Sequence, residues 1–231
     1  MLAEIATPQF WWAAVQIVIV NILLSGDNAV VIALACRNLP PKQRRWGVFW
    51  GAFGAIVLRI VLTIFALSLL ELPWLKLIGG LLLLWIGVKL IAEEEGEEEI
   101  AGSDRLFSAI KTVVIADLVM SLDNVLGVAA AANGSVILLA FGLLVSIPLV
   151  IVGSQLILKL IQRFPILVIG GGGLLGYIAG EMFVREPVLL PTIDAYAHWL
   201  HWSLPLICAV LVVAAAKWVE RRRHRLAAPA P

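Results

Sequence analysis

The chain has 231 residues, of which 61% are hydrophobic and only 14% charged, with a formal net charge of +1. Ordinary globular domains carry about 25% charged residues, so this composition excludes a typical water-soluble domain. The two cysteines, Cys36 and Cys208, share no metal-ligand spacing and do not read as a disulfide framework.

A helix crossing about 30 Å of hydrocarbon needs roughly 20 mostly apolar residues. Successive apolar windows predict seven spans, over 9–35, 46–70, 74–92, 107–132, 135–158, 165–184 and 201–219. The runs are continuous and lack the period-2 alternation of a transmembrane barrel, so the backbone must be satisfied within helices. Met1-Leu2-Ala3-Glu4 lacks the basic region and small-residue cleavage site of a signal peptide, and the first run is expected to be retained as a span.

Charge placement predicts the orientation. Of the 17 Lys and Arg, all but Arg59, Lys76 and Arg185 fall in segments that share one side when the N-terminus is outside and the C-terminus cytoplasmic. Trp11, Trp12, Trp74, Trp199 and Trp202 then mark outer span ends, and Trp46, Trp50 and Trp218 inner ones, as interfacial belts do. Trp85 lies deeper and is expected to pack inside the protein. The acidic run from Glu93 to Glu99 reads as a solvated cytoplasmic linker. Arg221, Arg222, Arg223 and Arg225 fix topology and touch anionic lipid in preference to nucleic acid. Glu181 and Arg185 are expected to form an exposed pair of small energetic value.

The sequence matches itself twice. At an offset of 96 residues, NILLSGDNA from Asn21 aligns with DLVMSLDNV from Asp117, superposing Ser25, Asp27 and Asn28 on Ser121, Asp123 and Asn124. At an offset of 92, PWLKLIGGLLLLWI from Pro73 aligns with PILVIGGGGLLGYI from Pro165. Each unit holds three helices, and an odd number of crossings inverts the second copy, as in secondary transporters with a midplane site between copies. The expected fold is therefore an all-α integral membrane protein in one membrane domain over 1–231. It comprises repeat one over 9–92, an acidic linker over 93–106 and repeat two over 107–184. An outer loop over 185–200 precedes a seventh helix with a basic cytoplasmic tail over 201–231.

Asp27 and Asp123 fall inside apolar helices, where an ionisable group costs about 2.5–3.5 kcal/mol on insertion scales. The bland reading, carboxylates that merely fasten helix to helix, is the lesser one for a single such residue and weaker still for two at matching places of inverted copies. Asp117, Asn28 and Asn124, with Asn21, Ser25 and Ser121, complete a set of hard oxygen donors suited to Mg²⁺, Ca²⁺ or Mn²⁺. No histidine falls in a span core, which disfavours zinc or copper there. At 100° per residue, Asp117, Ser121 and Asn124 lie within about 60° of one another, while Asp123 points about 120° from Asp117. Local unwinding near Ser25–Asn28, eased by Gly26, is expected to gather these groups. Arg59, within the second span, is read as a counter-ion to an aspartate or to the empty site, and it maps to Gln155 in the other copy. The glycines of the third and sixth spans read as close helix packing.

The paired Ser25-Gly26-Asp27-Asn28 and Ser121-Leu122-Asp123-Asn124 on the first and fourth helices of a small seven-span chain closely resemble the TerC family. The family is similar in plan to small exporters such as the lysine exporters; some members are linked to manganese export, others to tellurite resistance or manganese supply to exported enzymes. The resemblance implies a multi-pass plasma (inner) membrane exporter of a divalent cation, Mn²⁺ foremost, with Ca²⁺ or Mg²⁺ left open by the donor set; like charges on the emptied carboxylates would let protons replace the ion. Its metal ligands would be Asp27, Asn28, Asp117, Asp123 and Asn124, with Asn21 standing where the second copy has Asp117. No resident cofactor is required, and the expected partners are the metal substrate, lipid and further copies of the chain. The rival reading is a non-transporting scaffold or accessory protein for metal supply or for tellurite or envelope stress resistance. An enzyme is not expected, since neither a nucleophile–base pair nor a His-Glu-x-x-His spacing is present.

Overall fold

The structure, a computed structural model, describes residues 11–12, 15, 26–64, 72–92, 102–131 and 136–227. Side chains at 63–64, 102–103, 122–131, 136–142, 146 and 224–227 lie outside that description. The described residues form helices and their connections, with no strand. The helices are α1 (Gly26–Cys36), α2 (Pro41–Ile64), α3 (Leu75–Ala92), α4 (Gly102–Ala131), α5 (Val136–Arg163), α6 (Ile166–Val184), α7 (Leu190–Tyr196) and α8 (Leu200–Ala227).

Among the described residues, five segments are long and apolar enough to cross a membrane: Pro41–Leu62, Leu75–Ala92, Leu143–Arg163, Ile166–Val184 and Leu200–Arg223. The expected first span is described chiefly from Gly26 onward, as the 11-residue apolar α1. The expected fourth corresponds to α4, whose 30 residues rise about 45 Å but carry Asp104, Arg105, Lys111, Asp117 and Asp123. The acidic run from Glu93 to Glu99 lies outside the described residues.

Three boundaries differ from expectation. Residues 102–106, expected in the acidic linker, open α4. The expected outer loop contains α7, with Pro191 in its first turn, where proline's fixed φ suits a helix start. The basic tail is not a separate segment, since α8 continues to Ala227. Arg, Leu and Ala are good helix formers and sustain the helix past the apolar stretch.

The chain divides into two compact units, 1–71 with 101–159 and 72–100 with 160–231. The first holds α1, α2, α4 and most of α5; the second holds α3, α6, α7 and α8. Each unit thus draws helices from both halves of the sequence.

In the first unit α1 is apolar on every side and buried from Asn28 through Cys36 except at Val30. A helix of that kind belongs in a core. Glycines let α2 approach α4, since a Cβ at Gly51 would lie 3.1 Å from Val113 and one at Gly54 3.1 Å from Val114. Elsewhere around α2, Trp46, Phe49, Trp50, Phe53, Val57 and Val61 are exposed. So continuous an exposed apolar stripe at helical spacing suits lipid rather than water.

In the second unit the glycine face of α6 packs on α3 and α8. A Cβ at Gly176 would meet Cys208 O at 2.6 Å, and one at Gly80 would meet Ala179 O at 3.0 Å. Trp85 corrects an expectation: it is 58% exposed, with Lys89 Nζ 5.7 Å from its ring centroid. Depth in a span does not fix which side of the helix a residue occupies. Glu181 and Arg185 form the expected exposed pair at 3.3 Å, and Cys36 and Cys208 are free thiols.

Candidate functional site

The first unit contains a small cavity of about 20 Å³. That is room for about one water-sized occupant. Asn28 of α1, Arg59 of α2 and Asp117 of α4 supply its polar lining; the rest is apolar and includes Val150 of α5.

All three polar residues are buried, Arg59 at 2% exposure, Asp117 at 5% and Asn28 at 6%. Arg59 Nη2 donates to Asp117 Oδ1 across 2.6 Å, and Arg59 Nε donates to Ser121 Oγ across 3.0 Å. Ser121 Oγ in turn donates to Asp117 Oδ2 at 3.2 Å, one helical turn away. The charge of Asp117 is thereby compensated, which a carboxylate in this setting requires. The close α2–α4 approach at Gly51 and Gly54 holds the two side chains at this distance.

Asn28 is different. Its side-chain Oδ1 is buried and has no hydrogen-bond partner among the described residues. Leaving a buried acceptor unpaired costs about 1–3 kcal/mol, so such an atom calls for an explanation such as a ligand.

Asp27 is half-buried at the start of the described part of α1 and accepts a hydrogen bond from the Asn28 backbone N–H at 2.8 Å. It lies within electrostatic reach of Arg59 and Asp117 but does not line the cavity. Asp123 and Asn124 lie on α4, and their side chains are outside the described residues. Asn21 and Ser25 are outside them altogether.

The expected unwinding is not found at Gly26, Asp27 or Asn28, which are helical, nor at Ser121–Asn124, where α4 is continuous. Side-chain bonds from Arg59 and Ser121 satisfy Asp117 without freeing any backbone carbonyl.

The model of the integral membrane protein TerC family matches residues 6–224. The chain belongs to the TerC family. Relatives of this TerC protein include the Bacillus subtilis uncharacterized membrane protein YjbE, 42% identical over 89% of this chain and 94% of that one. The B. subtilis uncharacterized membrane protein YceF is 30% identical over 79% of this chain and 75% of its own. The UPF0053 inner membrane protein YgdQ of Escherichia coli K12 is 27% identical over 71% of this chain and 77% of its own. No solved structure matches. The TerC chain is thus a multi-pass integral membrane protein with several apolar helices.

In this TerC chain the role of one residue and the whole of another escape sequence reasoning. Ser121 reads in sequence as a neutral oxygen, whereas it bridges Arg59 and Asp117. Glu186, fully buried, accepts hydrogen bonds from the backbone N–H groups of Trp74 at 2.9 Å, Lys76 at 3.1 Å and Leu77 at 3.3 Å. A carboxylate on three amides at the start of α3 meets both the orphan donors and the positive end of the helix. No local signal announces it, because its partners lie some 110 residues away in sequence.

Proposed function

We propose that this chain is a secondary transporter that exports a divalent cation, Mn²⁺ foremost, across the plasma (inner) membrane by alternating access. In this reading seven helices cross the bilayer, six of them as two inverted three-helix copies, with the N-terminus outside. The description of YgdQ as an inner membrane protein supports the location. The observation that carries the proposal is the buried Asn28 Oδ1, without a partner among the described residues, beside a small cavity that the Asp117 carboxylate also lines.

Oxygen donors of this kind suit hard cations. Asp117 and Asn28 contact the substrate in the cavity, Asp27 adds charge beside it, and Asp123 and Asn124 contribute from the second motif. Arg59 balances the Asp117 charge when the cation is gone and must yield the carboxylate when it arrives. That exchange keeps an empty site from leaving a bare charge in the membrane. Protons on the aspartates would serve the same end in a cation/H⁺ antiporter.

Mn²⁺ efflux from proteoliposomes holding wild type, Asp27→Asn or Asp117→Asn, with Ca²⁺ and Mg²⁺ as competitors, tests the reading. Aspartate-dependent flux is expected. The completeness of the Arg59–Asp117–Ser121 cluster favours one rival, a scaffold in which that cluster only fastens helices. Negligible flux from folded wild type would establish that rival.

A further inference from the structure

The second unit carries a cluster unrelated to the buried carboxylates. Asp194 on α7, His198 in the connection and His201 in the first turn of α8 each offer one ligand atom, all within 4.8 Å of one another. His201 Nε2 lies 2.8 Å from Asp194 Oδ1, and the His198 and His201 ring centroids are 5.1 Å apart. We propose that these three residues form a binding site for a borderline transition-metal ion of the Zn²⁺ class.

The backbone holds the ligands together before any ion arrives. Ala197 N–H donates to Ile193 O at 2.9 Å, Leu200 N–H to Ala197 O at 2.8 Å, and His201 N–H to His198 O at 3.2 Å. Buried Ile193 anchors this pair of turns to the protein. A carboxylate–imidazole hydrogen bond needs no second imidazole beside it, and two rings that both became charged would repel. A metal ion uses all three groups.

Distances agree with that use. Ligands about 2.0–2.1 Å from a tetrahedral ion stand about 3.3 Å apart, so the Asp194–His201 pair opens by about half an ångström and His198 swings inward. In the ion-free pair His201 Nε2–H donates to Asp194 Oδ1; binding moves the proton of the neutral ring to Nδ1, so that Nε2 turns its lone pair to the ion. Two imidazole nitrogens and one carboxylate favour Zn²⁺, Co²⁺, Ni²⁺ or Cu²⁺ over Ca²⁺ or Mg²⁺, and Mn²⁺ is the weakest of the transition series. Three protein ligands on an exposed turn leave a position open to water, the mark of an exchangeable rather than a structural ion. Trp199 and Trp202, at 64% and 74% exposure, flank the cluster as residues of a membrane–water boundary do.

The test is calorimetric titration of the full-length, tag-free protein in detergent with ZnCl₂, comparing wild type, Asp194→Asn and His198→Ala/His201→Ala, with a parallel Co²⁺ titration followed by visible absorption. One Zn²⁺ per chain with micromolar affinity is expected, weakened at least about tenfold in each variant, MgCl₂ failing to compete. Tetrahedral Co²⁺ bands should appear in wild type and vanish in the double histidine variant. Equal Zn²⁺ affinity in all three proteins, or wild type without Zn²⁺ binding, overturns the proposal. Asp194 and His198 are exposed and His201 is half-buried, so the fold should survive the substitutions, which an unchanged thermal midpoint verifies.

Discussion

Arg59 and Asp117 meet at 2.6 Å in the interior of the first unit, each almost wholly buried. Breaking such a buried pair from one side costs about 3–5 kcal/mol, whereas replacing both members by apolar residues is often nearly neutral. Arg59→Leu and Asp117→Leu should therefore each lower the thermal midpoint of the purified protein strongly, and the double variant should recover most of the loss. The recovered double variant should still fail to move Mn²⁺. A double variant as unstable as the sum of the singles would show that the pair is not coupled.

Asn28 gives the complementary experiment. Its Oδ1 is a buried acceptor without a partner among the described residues, so Asn28→Leu, of similar size, removes an unsatisfied group. Stability should be retained or rise by about 1–3 kcal/mol while Mn²⁺ flux falls. A large destabilisation on chemical or thermal unfolding would mean that the carboxamide serves the fold and not a substrate.

What is legible in the sequence is what is local. Membrane character, the α2, α3, α5, α6 and α8 segments and the burial of Arg59 can be read there because hydropathy and isolated charges show window by window. The i, i+4 spacing of Asp117 and Ser121 places them on one helical face, and they are hydrogen-bonded there. The choice of Asp117 as the partner of Arg59 is not legible, since it depends on how Gly51 and Gly54 seat α2 against α4. Trp85 defeats the sequence reading because hydropathy carries no information on which helical face meets lipid. Asp194, His198 and His201 stand close in the chain, but only the turns between α7 and α8 bring their ligand atoms together.

Glu186 fixes the start of α3, where Trp74 adopts φ 69°, an unfavourable backbone conformation for a bulky residue. The Glu186 carboxylate accepts the Trp74 N–H and two further amides, stabilising that geometry. Glu186→Gln keeps the shape but loses the charge and one acceptor oxygen. A destabilisation of about 1.5–3 kcal/mol is expected, the range for hydrogen bonds to charged groups. An unchanged unfolding midpoint would refute the capping role.

The glycines of α6 separate by position. A Cβ at Gly176 would approach Cys208 O at 2.6 Å and Ala209 Cα at 2.8 Å, both backbone atoms of α8 that cannot rotate away. A Cβ at Gly170 would meet nothing within 4 Å. Gly176→Ala should therefore force α6 and α8 apart at a cost of about 1–3 kcal/mol. Gly170→Ala should be neutral or stabilise by about 0.5–1 kcal/mol, because alanine loses less backbone freedom in a helix. Thermal unfolding of the two variants side by side separates packing from propensity. If both lower the midpoint equally, close approach to α8 is not what Gly176 provides.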